Sequence, residues 1–445
     1  MGITSAFFSA TSGINATSRA LSEIGNNIAN AQTIGFKTRT VSFGDLFGAN
    51  LGLGGASSAL VEGRGVRVLG VDPSFTQGSL QTTSNALDLA IDGDGFFQVS
   101  DASGNTYFSR AGQFNVDSAG NIVTPAGFRL QGYQADDAGN INVGSLENLV
   151  LTTTQQTGIP TTETVMSGNL KASEPVLTGF SNAALLADPA NSANSQFSSG
   201  VRVFDTLGAG HDLIVYFSKT AVNEWTYSVV AQDSEVSSFI ANNATTGNAL
   251  VAQGTLTFTS TGLLDVESPG PGTPHNISFS GGATAPQPII FDFGTSVTTD
   301  SGTGSDGMLQ QGSASVLLTL SQDGFGNGTL TNTSIAENGL ITGKFSNGTS
   351  RNLGQVALTR FINPDGLQPI GKNLFIQSGD SGTPLVGAPG SGTLGKVIAN
   401  TLEASNVDLG EELVNMIIMQ RGFQANSRII TTTNDLLGEL VNLAR

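Results

Sequence analysis

The chain has 445 residues, only 12% of them charged, and its 18 Lys and Arg against 35 Asp and Glu give a formal net charge of −17. That balance offers no basic surface able to displace counterions from a phosphate backbone, which argues against nucleic acid as a partner. With no cysteine, disulfides, thiolate metal sites and cysteine nucleophiles are excluded, while 38% hydrophobic residues are more than a disordered chain carries.

No stretch approaches the roughly 18 consecutive apolar residues that cross a bilayer, so no membrane insertion is expected. The first basic residue is Arg19, and polar residues interrupt every earlier apolar run, so the start does not read as a cleaved signal peptide. Single cores rarely grow past about 250 to 300 residues, which predicts two or three folded units.

In chain order, Ile3, Phe7, Ala10, Ile14, Thr17, Leu21, Ile24 and Ile28 step by four and three. This heptad seam with one polar position predicts a long amphipathic helix ending between residues 30 and 35. Residues 48–65, rich in glycine and small side chains, read as a linker within an extended connecting region, 33–75. Five strands follow at 96–99, 107–110, 113–116, 121–124 and 128–131. They are separated by D-x-x-G turns at 101–104 and 117–120, in which Asp bonds the turn backbone and Gly takes a positive φ. A second β unit contains strands at 201–204, 213–217, 225–230 and 255–258. Strand patterns resume over 321–345 and 355–361, before a loose Gly and Pro region at 379–395.

The last element opens at Asp408, whose carboxylate can cap free helix amides, with Glu411 at the capping-box position and Glu412 at the positive helix end. From Leu413 its seam runs through Met416, Met419, Phe423, Asn426, Ile430, Thr433, Leu437 and Leu440. Two amphipathic helices enclosing a β middle have no sheet of matching period to lie on, so they pair with each other. One seam each still leaves Ala, Phe8 and Ile faces uncovered, which calls for further copies of the chain. The expected fold is mainly β with long terminal α-helices paired in coiled-coil fashion. Residues 1–32 and 402–445 form a helical domain, 76–156 and 321–401 a discontinuous inner β-domain, and 157–320 an inserted outer β-domain.

Signs of catalysis fail on inspection. Gly390, Gly395 and Lys396 match most of a phosphate-binding loop, but Val397 stands where Ser or Thr must hold magnesium. Asp88, Asp92 and Asp94 suggest a calcium loop until Phe96 and Phe97 occupy the positions of a ligand and the turn glycine. Neither His211 nor His275 lies in a nucleophile, zinc or acid–base pattern. No enzyme activity, cofactor or metal is expected.

The segment Glu23-Ile24-Gly25-Asn26-Asn27-Ile28-Ala29-Asn30, with Thr33, Gly35, Phe36 and Lys37, resembles the N-terminal signature of the flagellar rod and hook axial proteins. Leu402-Glu403-Ala404-Ser405-Asn406-Val407-Asp408, continuing through Glu412 to Ile417 and Gln420-Arg421, resembles their C-terminal signature. Length and the large insert match the hook branch; a distal rod or other axial subunit is the alternative. An unrelated secreted β-rich protein would need an aromatic cleft, for which Trp225 is thin support. The resemblance implies a non-enzymatic subunit polymerising into a curved, flexible tube that acts as a universal joint between rod and filament. Implied partners are further copies, the distal rod protein, the hook cap and hook–filament junction proteins, and the flagellar type III export gate. The implied location is the extracellular hook, reached without a cleaved signal peptide. Phe43-Gly44-Asp45-Leu46-Phe47 resembles the element that hook-type substrates present to the gate, with Phe43 and Phe47 as its aromatic and hydrophobic ends.

Overall fold

A computed structural model describes residues 2–46, 64–136, 138–151 and 155–443. The Phe47 end of the gate-like element, most of the linker at 48–65, and the side chains of Ile3 and Leu440 lie outside the described residues. The chain divides into two compact units: Met1–Thr152 with Asn332–Gly343 and Ser350–Arg445, and Thr153–Thr331 with Lys344–Thr349.

The first unit holds both terminal helices, Gly2–Ala29 and Leu409–Leu443, together with antiparallel β-structure. The helices and the inner β-structure therefore share one unit, where the sequence suggested separate domains. Nor is the connecting region merely extended, because Arg39–Asp45 pairs antiparallel with Val66–Pro73 as a hairpin. Phe96–Ser100 lies between Thr106–Ser109 and Arg129–Gln134, and Arg129–Gln134 also pairs with Ser350–Val356. Two short ladders tie early residues to late ones: Leu80–Thr82 to Thr401–Glu403, and Leu89–Asp92 to Lys396–Ala399. The latter ladder absorbs the phosphate-loop lookalike, since Val397 is fully buried opposite Ile91 and Lys396 Nζ meets Glu337 Oε2 at 2.8 Å. Phe96, Phe108, Phe361, Leu367 and Phe375 form the aromatic core here, with edge-to-face ring contacts that suit the aromatic quadrupole.

The expected turns have the expected chemistry. Asp101 Oδ1 accepts from the Ser103 and Asn105 amides with Gly104 at φ +87°, and Asp117 does the same for Ala119 and Asn121 with Gly120 at +86°. The strands around the second turn are shorter than the pattern suggested, pairing only over Asn115–Val116 and Ile122–Val123.

In the second unit, Phe197–Phe204, Gly210–Ala221, Glu224–Gln232 and Asn248–Phe258 form an antiparallel sheet in that order. A second sheet is mixed: Glu163–Lys171 pairs parallel with Gln287–Asp292 and Met308–Gln311, and antiparallel with Val316–Gln322. Trp225 is fully buried in the core, its indole N–H donating to Gln310 Oε1 at 2.9 Å, so it lines no cleft. Both histidines are likewise tied into this unit, His211 to Asp205 at 3.2 Å and His275 to the Tyr227 hydroxyl at 2.9 Å.

Candidate functional site

The two terminal helices run antiparallel. Asn27 donates to Glu412 Oε1 at 2.9 Å at one end, and farther along a Cβ on Gly13 would lie 2.6 Å from Asn426 Nδ2. On the N-terminal helix the buried line is Ala10, Gly13, Ala16, Ala20, Ile24 and Asn27, while Phe7, Ile14, Leu21 and Ile28 are half-buried. The expected seam is thus rotated: small residues take the tightest position because they let backbones approach, and the large ones flank them. On the C-terminal helix Met416, Met419, Asn426 and Ile430 are half-buried and Thr433 is buried, but Leu413, Phe423 and Leu437 are exposed, against expectation. Thr17 and Thr433 cost little in this position because their hydroxyls bond the carbonyls of Gly13 (2.8 Å) and Ile429 (2.6 Å) one turn back.

At the root of this pair the two sequence signatures meet in a buried polar clasp. Asp408 caps the C-terminal helix as expected, accepting from the Gly410 amide at 2.7 Å. The preceding residues run beside the chain leaving the N-terminal helix. Glu403, fully buried, receives Lys37 Nζ at 2.6 Å and the Gly78 amide at 2.9 Å on Oε1, with Arg110 Nη1 3.5 Å from Oε2. The Lys37 ammonium also donates to the Thr76 carbonyl at 2.7 Å. Burial pushes both Lys37 and Arg110 below their ordinary pKa values, and the Glu403 carboxylate pulls them back up. Removing that carboxylate would strand two buried cations.

Backbone contacts complete the clasp. The Gly35 amide donates to the Glu403 carbonyl at 2.8 Å, and Gly35 has φ +67° with a Cβ position only 2.5 Å from the Ala111 nitrogen, so glycine alone fits. Asn406 accepts from the Thr38 amide at 2.7 Å and donates to the Ser74 carbonyl at 2.9 Å. Asn27 straddles Arg39, donating to its carbonyl at 2.9 Å and accepting from its amide at 3.0 Å. Glu412, read from sequence only as a dipole partner, accepts from Asn27 and from the Thr38 hydroxyl at 3.2 Å. Sequence reasoning gave no role to Glu412, Thr38 or Arg110 in holding the ends together, because no local spacing links them.

The remaining motif residues divide. Phe36 is buried, Ala404, Ser405 and Val407 are half-buried, and Ala29 is exposed. Gly25 has open space where a Cβ would be, and Asn30 Nδ2 bonds Asn26 Oδ1 at 2.9 Å on the outside. Phe43 is 40% exposed on its strand. The clasp is a set of buried ion pairs and hydrogen bonds between the two ends of the chain; its chemistry is that of a fastening. Along the helical pair, Phe8 and a row on the C-terminal helix (Leu409, Leu413, Val414, Ile417, Ile418, Ile429, Leu436) remain exposed. A helix that is apolar on its outer as well as its inner face belongs in a buried environment.

Comparison with known proteins matches four family descriptions along the chain. These are flagella basal body rod protein (residues 8–37), flagellar hook protein FlgE/F/G D1 domain (90–162), flagellar basal body protein FlaE D2 domain (169–325) and flagellar basal body rod FlgEFG protein C-terminal (398–443). The chain is 36% identical to the flagellar hook protein FlgE of Escherichia coli strain K12, over 98% of its own length and 100% of that protein. It is 33% identical to FlgE of Borreliella burgdorferi, covering 98% of each chain. Among solved structures, the Helicobacter pylori flagellar hook protein FlgE2 matches 73% of the chain and all of its own at 16% identity, with a TM-score of 0.48. By this near-full-length similarity, the chain belongs to the flagellar hook protein FlgE family.

Proposed function

We propose that the protein is the structural subunit of a bacterial flagellar hook, polymerising into a curved, flexible tube that carries torque from rod to filament. The observation that carries this reading is the outer face of the C-terminal helix, where Val414, Ile417 and Ile418 are each half exposed or more in a single copy. Such a face is satisfied by burial against other copies, and repeated heterologous contacts that do not close a ring produce a helical tube. The helical pair, coiled-coil-like around its small-residue seam, forms the inner tube. The FlaE D2 match over 169–325 favours hook over distal rod.

At its ends the polymer meets the distal rod protein, the hook cap and the hook–filament junction proteins. Subunits reach the outside through the flagellar type III gate, with Phe43 and Phe47 as the gate element. The assembly helices and the clasp act together: the clasp fixes the angle at which the helices leave the β-structure of the first unit, and the apolar faces bind copies.

Sedimentation and negative-stain microscopy of the purified chain beside Ile418→Asp test this. The parent is expected to form tubes or short curved polymers. The variant should remain monomeric, with an unfolding free energy within about 0.5 kcal/mol of the parent because the site is exposed. A parent that stays monomeric at every salt concentration overturns the proposal.

A further inference from the structure

Two concavities of about 290 and 330 Å³ flank the turn at 371–373 in the first unit. Asn373 anchors that turn, donating to the Ile34 carbonyl at 2.9 Å while its own carbonyl accepts from Ser109 Oγ at 2.9 Å. Lys372 and Asn373 both hold positive φ, 55° and 57°, a strained backbone that persists only where the surroundings impose it. The smaller concavity is lined by Asn26 and Asn30, the motif amides left outside the clasp, and by Lys37, Arg39 and Lys372.

Among the described residues, no carboxylate lines either concavity. In a chain with 35 acidic and 18 basic residues, Arg39 and Lys372 beside an acid-free hollow amount to a local reversal of charge. Lys37 is already paired with Glu403. Arg39 and Lys372 form no ion pair among the described residues, and Lys372 Nζ lies 5.6 Å from the Phe128 ring centroid.

We infer that this groove accepts carboxylates from a second copy of the chain, and that its occupant is the first turn of that copy's C-terminal helix. This rests on the hook-subunit reading. That turn is chemically complementary: Asp408 and Glu411 are exposed beside exposed Leu409 and Leu413, and Pro369 and Leu374 give the groove apolar walls. It also lies at the right height. Thr38, adjacent to Arg39, bonds both Asn406 and Glu412, so groove and acidic turn sit at one level of the helical pair. A neighbour related by rotation about a tube axis along the helices presents its turn at that level. Groove and plug are different surfaces, so the contact propagates from copy to copy.

The chain has no cysteine, which makes directed crosslinking unambiguous. Lys372→Cys and Glu411→Cys are prepared as separate proteins, mixed, polymerised and oxidised. A disulfide-linked dimer that forms in the mixture and not in either protein alone supports the contact. Polymers without that dimer, or dimers from one variant alone, overturn it and leave the hook reading intact. Absence of polymers from the unmodified chain overturns the hook reading itself. Where the cysteine variants do not polymerise, charge exchange decides. Lys372→Glu and Glu411→Lys should each raise the critical concentration about tenfold, and the combination should restore it, because like charges across a contact repel and the exchanged pair attracts. Failure of the double variant to recover overturns the inference.

Discussion

Replacing Glu403 by Gln keeps the shape of the clasp and removes the anion that faces Lys37 and Arg110. Lys37 and Arg110 are then left as cations whose side chains are 1% and 4% exposed, beside a neutral amide. Breaking a buried ion pair from one side costs about 3–5 kcal/mol, which for a unit of this size corresponds to roughly 10 °C in melting temperature. The cost should depend on pH. Burial already depresses the Lys37 pKa and Glu403 opposes that depression, so without Glu403 the ammonium loses its proton more readily in the folded state. The unfolded chain then binds more protons than the folded one, and stability of the variant rises with pH until Lys37 is neutral in both states. The deficit relative to the parent should therefore shrink between pH 7 and pH 10. The single tryptophan provides an internal control, because Trp225 lies in the core of the second unit and reports only on that unit. Far-UV circular dichroism, dominated by the terminal helices, should show an earlier transition while Trp225 fluorescence melts unchanged. Equal displacement of both signals, or no displacement of either, refutes the reasoning.

The second unit has its own titration. Burial pushes the Glu267 carboxyl up to about 8, with Asp300 and Asp292 adding to the rise, and its Oε1 has no hydrogen-bond partner. A carboxyl raised in the folded state stabilises fully below its unfolded value and loses that contribution as pH rises through about 8. The urea midpoint read by Trp225 should fall between pH 5 and pH 9, and Glu267→Gln should flatten the slope; a parent midpoint constant over that range contradicts the assignment. Gly78→Ala should open the clasp, since a Cβ there runs into the Ala404 carbonyl oxygen and displaces the amide that donates to Glu403. We expect a loss of about 2 kcal/mol or more in the circular dichroism transition, in line with forced backbone movement at a buried site, and wild-type melting would remove Gly78 from the clasp.

Local chemistry was legible in the sequence and long-range chemistry was not. The heptad steps from Phe7 to Ile28 identified a helix because periodicity survives in a single segment, and the D-x-x-G turns were legible because Asp and Gly act within five residues. Periodicity could not fix the rotation of the seam. Hydrophobicity ranks Ile14 and Leu21 above Gly13 and Ala20, yet close helix approach rewards small side chains, so Gly13 sits against Asn426. Excess apolar character was visible along the C-terminal helix, but which of Leu413, Met416 and Phe423 faces inward depended on where the clasp places its first turn. The clasp itself was unreadable, since Lys37 and Glu403 are 366 positions apart and each has an ordinary surface reading as a single charge. Resemblance marked these residues without supplying a reason; the reason is the buried ion pair.

That separation also sets the hierarchy of stability inside the first unit. Closing a loop of several hundred residues directly costs about 5 kcal/mol in chain entropy before any contact forms. The ladders between Leu89–Asp92 and Lys396–Ala399, then Leu80–Thr82 and Thr401–Glu403, bring the ends together by steps. Each shortens the loop that the next must close, so the clasp at Lys37 and Glu403 forms on a largely assembled base, and the Gly13–Asn426 crossing lies beyond it. The helical pair depends on everything beneath it, while little in the base depends on the helices. Its seam is built largely of Ala, Gly and Thr, which bury less apolar area than Leu or Ile, and most of its larger side chains are only half-buried or exposed. Amide exchange in a monomer held below its critical concentration should therefore be fastest over residues 5–20 and 420–439, intermediate at 35–38 and slowest at 89–92. Polymerisation should slow the helices most, because their Val and Ile faces are then covered. Equal protection of helices and ladder in the monomer would mean that the pair is stable alone, and the outward apolar face would then need another explanation than assembly.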